Sequence, residues 1–139
     1  MKILFDTNVV LDVLLDRRPF SAVAVKLLAR VERGEIEGLL GATTLTTVHY
    51  LLAKEIGAAN ALAAVRRLLS LFTVAQVDGT TLLLATDLRL ADFEDAVLHE
   101  SARLAGATMI VTRNGGDFRQ GSLTVRSPDE LEAALSEKG

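Results

Sequence analysis

At 139 residues, half of them hydrophobic and 24% charged, the chain can fill one core but not two, and it is too apolar to be disordered. A formal net charge of −3 leaves no global basic footprint for nucleic acid, and 4% aromatics leave little for base-stacking platforms. With no cysteine, disulfides and thiolate metal sites are excluded, and with no membrane-length apolar run and no signal-peptide pattern the chain reads as soluble and cytoplasmic.

The first apolar run, Ile3-Leu4-Phe5, is short, does not alternate, and ends in Asp6. That fits a strand buried on both faces of a parallel sheet. Thr7 or Asn8 is expected to cap a first short helix from about Val9 to Asp16, which Pro19 closes off. Ala24, Leu27, Leu28 and Val31 recur at helical spacing and predict an amphipathic helix from Ser21 to about Arg33, stopped by Gly34. A second strand is expected over Ile36–Gly41. A helix capped by Thr43 or Thr44 then runs to Gly57, and an Ala/Leu-rich helix spans Ala58–Leu71 with Arg66 and Arg67 outward. Phe72–Val77 predicts a third strand, Thr80–Leu88 a helix, and Asp92–Leu104 a helix closed by Gly106.

Thr108–Thr112 is the clearest later strand. Arg113-Asn-Gly-Gly-Asp117 is a loop, and Leu123–Val125 a final strand. Ser127-Pro128-Asp129-Glu130 combines a capping serine, a first-turn proline and a glutamate three residues after the cap, the strongest helix-start signal in the chain. Strands alternate with helices throughout, which predicts a single α/β domain over 1–139: a parallel sheet of four to five short strands between helical layers.

The chemistry is carried by carboxylates. Asp6 follows the first strand, and in open α/β sheets ligands gather at the carboxyl ends of the strands. Asp117 lies in the loop after Thr112, the end of a second core strand, and so belongs to the same edge. Asp92 and Asp95, three residues apart at a helix start, share one helix face. Each acid alone reads as a helix cap or a solvated turn. Brought together, they would repel and raise one another's pKa unless a cation intervened. A hard divalent cation with oxygen ligands, Mg2+ or Mn2+, suits them and would equip the site for in-line displacement at phosphorus. His49 and His99 form no zinc pattern; His49 is expected half-exposed on its helix and His99 at the surface.

These motifs resemble those of the PIN-domain proteins, in particular the VapC-type toxins of toxin–antitoxin pairs. The carrying residues are Asp6-Thr7-Asn8, Asp92-Phe-Glu-Asp95-Ala96, and Thr112-Arg-Asn114 with Asp117-Phe118, in the family's order over nearly the whole chain. The resemblance implies a PIN-like three-layer α/β/α fold, Mg2+- or Mn2+-dependent cleavage of RNA, homodimers, and a small antitoxin protein as partner. It assigns Asp6, Asp95 and Asp117 as metal ligands. Thr112 supports the site as the hydroxyl residue ending its strand, and Thr112 or Asn114 positions water or a phosphate oxygen.

Two departures stand out. His49 occupies the place of the usual third-helix Glu, in Thr46-Thr-Val-His49, and Asn114 replaces an acid. Asp92 resembles the acid of a subgroup lacking that Glu and is expected to extend the metal site in its place. Arg17, Arg18, Arg113 and Arg119 flank the cleft as candidate phosphate contacts. Leu39–Leu40, Tyr50–Leu52 and the Ala58–Leu71 stretch offer apolar surface for the core, for a dimer or for an antitoxin. The alternative function is a PIN-fold RNA- or protein-binding module that has lost turnover. A haloacid-dehalogenase-like phosphotransferase would need an acid where Asn8 stands, and a receiver-like phosphoacceptor lacks a matching Lys near Thr112.

Overall fold

A computed structural model describes residues 1–138. Five short strands, β1 (Lys2–Phe5), β2 (Glu37–Gly41), β3 (Thr73–Ala75), β4 (Met109–Val111) and β5 (Thr124–Arg126), form one sheet in the order β3-β2-β1-β4-β5. Every pairing is parallel. The helices are α1 (Thr7–Leu14), α2 (Ser21–Glu32), α3 (Ala42–Ile56), α4 (Ala58–Leu71), α5 (Gly79–Asp87), α6 (Phe93–Leu104) and α7 (Pro128–Lys138), with a 3-10 turn at Gly115–Phe118. This is the expected α/β architecture.

The strands divide their side chains between two cores, as a period of two requires. Ile3, Phe5, Leu40 and Val111 face a large cluster that takes Val9, Val10 and Leu11 from α1, Ala24 and Leu27 from α2, Val48 and Leu52 from α3, and Leu131 from α7. Leu4, Leu39 and Ile110 face the opposite side, against Leu98 and Ala102 of α6 and Phe118. Helix α5 packs outside α6 through Ala85, Ala96 and Val97. The layers are therefore helices, sheet, helices. Gly38 is needed at one close approach: a Cβ there would meet the Phe72 ring at 2.6 Å, and that ring packs edge-on to Phe5 with centroids 5.2 Å apart.

The helix boundaries follow local chemistry. Ser127 Oγ accepts from the Glu130 N–H at 3.1 Å while Glu130 Oε1 accepts from the Ser127 N–H at 2.8 Å, the capping box that the sequence predicts. Asp78 and Thr81 make a second box that starts α5. Two expected caps are displaced. Helix α1 starts at Thr7 with Asp6 itself as the cap, so Thr7 and Asn8 lie inside the first turn. Helix α3 starts at Ala42, with Gly41 at the cap position and no side-chain capping bond, which moves Thr44 into the helix. Leu39, Leu40 and Leu52 are core residues, whereas Tyr50, Leu62 and Leu69 are exposed. Among the described residues no helix is long and apolar enough to cross a membrane.

Candidate active site

The register of β1 against β4 builds the site. Phe5 lies beside Val111, so the next residues out, Asp6 and Thr112, emerge side by side at the carboxyl edge of the sheet. The Asp6 N–H donates to Val111 O at 3.0 Å, and the Thr112 N–H to Arg126 O at 3.0 Å, which holds both exits rigidly. Thr112 is buried, and its hydroxyl donates to Asp6 Oδ2 at 2.7 Å. The same Thr112 Oγ1 accepts from the Asn114 N–H at 3.0 Å. Asp6 Oδ1 accepts from the Thr7 N–H at 2.8 Å. Asn8 Nδ2 lies 3.3 Å from both Asp6 Oδ2 and Thr112 Oγ1, while Asn8 Oδ1 accepts from the Arg113 N–H at 3.3 Å. Thr7 and Thr44 join α1 to α3 at this edge through their hydroxyls, 2.9 Å apart.

Asp6 is therefore both the helix cap and the centre of a polar knot, two roles that the sequence posed as alternatives. Burial pushes its pKa above the ordinary carboxylate value. The bonds from Thr112 and Thr7 pull the other way, and the Asp117 charge adds to the rise. Asp95, half-buried on the first turn of α6, is pushed up to about 7, first by burial and then by the negative charges of Asp6, Asp92, Asp117 and Glu94. The topology thus brings the acids of three separate segments within electrostatic reach: the end of β1, the start of α6 and the 3-10 turn after β4. Asp92 is occupied as the α6 cap, its Oδ1 accepting from the N–H groups of Glu94 at 2.8 Å and Asp95 at 3.3 Å. Asn114 and Asp117 are exposed on the turn.

The acids of this edge offer oxygen ligands, which suit a hard cation such as Mg2+ or Mn2+. Among the described residues, however, no three His, Cys, Asp or Glu side chains stand close enough together to hold a metal ion as they are placed. The acids share a field without yet forming a coordination cage.

The expected phosphate contacts are largely engaged elsewhere. Arg113 donates from Nε and Nη2 to the two carboxylate oxygens of Asp12, at 2.6 and 3.1 Å, and its guanidinium carbon lies 4.0 Å over the Phe20 ring. Arg17 Nη1 is 3.9 Å from the same carboxylate, and Arg18 pairs with Asp16. Arg119 remains exposed. Asp12, wholly buried on α1, is a residue that the sequence reading passed over. A lone acid inside the apolar run Val9-Val-Leu-Asp-Val-Leu14 was the available signal, since a buried charge demands a partner.

His99 corrects an expectation. It is buried, not at the surface, because α6 is covered by the sheet on one side and by α5 and the loop after the 3-10 turn on the others. Its Nε2 accepts from the N–H groups of Ser122 and Leu123 at 3.0 and 3.3 Å, which places the proton on Nδ1, facing Glu100 Oε2 at 2.9 Å. Glu100 is held in turn by Arg103 at 3.0 Å. His99 thus anchors the loop that follows Asp117. A Cβ on Gly121 would stand 2.5 Å from the His99 ring and 3.2 Å from Phe118 O, so Gly121→Ala is expected to cost about 1–3 kcal/mol of stability by urea unfolding. An unchanged midpoint would show that the loop is not clamped there. His49, at the place of the third-helix acid, is half-buried, as expected.

The comparisons with known proteins agree with this fold. Similar solved structures include a toxin–antitoxin complex from Klebsiella pneumoniae, 24% identical over 91% of this chain and 97% of that one, with a TM-score of 0.68. VapBC-1 from nontypeable Haemophilus influenzae is 16% identical over 93% and 99%, with a TM-score of 0.70. The sarcin–ricin-loop-cleaving toxin VapC20 of Mycobacterium tuberculosis is 19% identical over 88% and 96%, with a TM-score of 0.67. At these identities the likeness is one of fold. No curated protein matches the sequence. The PIN domain family model matches residues 2–115, most of the chain, a span that includes Asp6, Asp92 and Asp95 but not Asp117, and the chain belongs to the PIN domain family.

Proposed function

We propose that the chain is a metal-dependent endoribonuclease and the toxin of a toxin–antitoxin pair. The observation that carries this reading is the convergence of Asp6, Asp95 and Asp117 on one sheet edge, where the charges that bear most on Asp95 are all negative. Such a field attracts cations, and a divalent ion answers it most fully. Asp6, Asp95 and Asp117 would hold Mg2+ or Mn2+, with Asp92 at the rim. The ion, when bound, supplies charge stabilisation at a phosphate and activation of water near neutral pH.

The chain's own residues do the rest. Thr112 orients Asp6 through the 2.7 Å hydrogen bond and ties the loop to it through the Asn114 N–H. Asn8 braces Asp6 and the Arg113 backbone together. Asn114, exposed at the mouth, is placed to position water or a phosphate oxygen. Structural neighbours solved as toxin–antitoxin assemblies support a small antitoxin as partner, and a neighbour that cleaves the sarcin–ricin loop supports RNA as substrate. The exposed Tyr50, Leu62 and Leu69 on α3 and α4 are proposed as surface for a second copy or that antitoxin.

The test is a mixed RNA pool incubated with the purified chain and Mn2+, Mg2+ or EDTA. Cutting that EDTA abolishes supports the reading. Mn2+ binding without any cutting favours the second one, a binding module that has lost turnover, to which His49 in place of an acid and the absence of a ready-made three-acid cage among the described residues both lend weight. Asp92→Asn separates cap from charge, because Asn caps as well as Asp does. The expected result is an unchanged melting temperature with RNA cleavage lowered about tenfold or more; full activity would confine Asp92 to capping α6.

A further inference from the structure

Asp12 has no part in the chemistry above, yet it is the most fully buried acid of the chain and lies on the same helix that Asp6 caps. A buried ion pair is a poor source of stability, since apolar side chains of similar size serve a core as well or better. Its partner is the informative half. Arg113 is the one cation of the stretch Thr112–Asp117. Its backbone N–H is bonded to Asn8, and its two neighbours, Thr112 and Asn114, are both bonded at Thr112 Oγ1, which touches Asp6. Its backbone is thus tied to the groups that hold Asp6, while its guanidinium is turned elsewhere. The Asp12 carboxylate takes two of its N–H groups, and the Phe20 ring covers one face of its guanidinium.

We propose that Asp12 is a positioning residue of the carboxylate cleft, which clasps Arg113 against α1, keeps that cation off Asp6, Asp95 and Asp117, and so leaves the cleft free to take a divalent cation. The inference rests on the metal reading above and concerns what protects that site from its own chain. The two-bond clasp suits the planar fork of arginine, which fixes direction as well as charge. With Asp12 neutral, the pair loses its charge assistance and Arg113 swings to the nearest uncompensated carboxylates, where it competes with the ion.

The experiment is Mn2+ affinity by titration calorimetry on the whole chain, with urea unfolding run beside it. The variants are Asp6→Asn, Asp12→Asn, Arg113→Gln, the double Asp12→Asn/Arg113→Gln, and Glu35→Gln. Glu35 pairs with Arg30 and Arg33 just before β2 begins, at the opposite edge of the sheet, and reports the effect of removing any one carboxylate. Asp12→Asn is expected to weaken Mn2+ binding on the order of tenfold, through a cation brought beside the ion. Glu35→Gln is expected to leave it within about twofold, the pair being exposed and distant. The double variant is expected to recover to within about threefold of Arg113→Gln, because the competing cation is gone.

Binding by Asp12→Asn as tight as wild type would overturn the proposal. So would a double variant as weak as Asp12→Asn, which would assign the loss to loop placement and not to charge. If Asp12→Asn does not fold, Arg113→Lys asks the same question: it keeps the charge and loses the fork, so weakened Mn2+ binding supports the clasp and wild-type affinity overturns it. Wild-type protein that binds no Mn2+, or Asp6→Asn protein that binds it undiminished, would overturn the metal reading and this inference together.

Discussion

Asp6→Asn is expected to lower metal-dependent RNA cleavage at least about 100-fold while leaving the fold intact or slightly more stable. The two halves of this expectation have different causes. Asn keeps the helix cap, since its side-chain oxygen can still accept from the Thr7 N–H as Asp6 Oδ1 does. Its amide nitrogen then stands where Oδ2 stood, so the Thr112 hydroxyl accepts where it had donated. What it removes is a negative charge that burial and Asp117 already disfavour. In the metal-free protein that charge works against folding, so its loss does not harm stability at neutral pH. For a divalent cation the same charge would be the centre of the site, because the Asp6 carboxylate is held by three neighbouring groups, the Thr7 N–H, Asn8 Nδ2 and the Thr112 hydroxyl. Cleavage rates and melting temperatures on one preparation check both halves. Loss of activity together with a collapsed fold would mean that Asp6 is a structural cap first. Retained activity would mean that the acids at this edge are not the chemical centre.

The fold was legible because its signals are local. Ile3–Phe5 is too short for a helix and too apolar for an exposed strand, Ser127–Glu130 carries its own start signal, and the alternation of strands with helices leaves a parallel sheet as the simple solution. Asp6 was legible as a candidate acid of the sheet edge because a strand end in such a sheet is where ligands sit. The misses are tertiary. That Asp6 also caps α1, displacing Thr7 and Asn8, depends on where the helix begins within two residues. Asp12 was passed over because its partner lies 101 residues away. His99 was expected at the surface, one turn beyond Asp95, whereas Ala96 through Ala102 are buried without a break. A helix enclosed on several sides shows no clean polar face, and sequence periodicity then understates its burial.

The second large effect is a pH dependence centred on Asp95. Its folded-state pKa is pushed up to about 7, from an ordinary value of 3.8. Below the ordinary value the carboxyl is protonated in both states and the shift has no consequence for folding. Between the two values the unfolded chain gives up its proton while the folded chain keeps it, so stability falls as pH rises, and the loss is complete once pH passes the folded value. Asp6 is shifted in the same direction and adds to the slope. Glu100, Glu132 and Glu130 are shifted downward by their partners, so their contributions are lost only on the acid side.

The metal-free protein is therefore expected to be most stable in mildly acidic solution and to lose about 1–2 kcal/mol by pH 7.5, after allowance for solvent screening of a half-exposed group. That corresponds to about 3–8 °C in melting temperature. Asp95→Asn is expected to flatten this limb while sparing the acid limb. Millimolar Mn2+ or Mg2+ at pH 7.5 is expected to restore the lost stability in wild type and to do little for Asp95→Asn, because a cation that binds only the folded state shifts the equilibrium by mass action. Melting curves from pH 4 to 8, with and without Mn2+, decide the matter. Parallel profiles for wild type and Asp95→Asn would show that the acids do not share one field. A matching Mn2+ response in both would place the ion elsewhere. If the limb is present and Mn2+ reverses it only in wild type, the repulsion that folding tolerates at this edge is the same repulsion that draws the ion in.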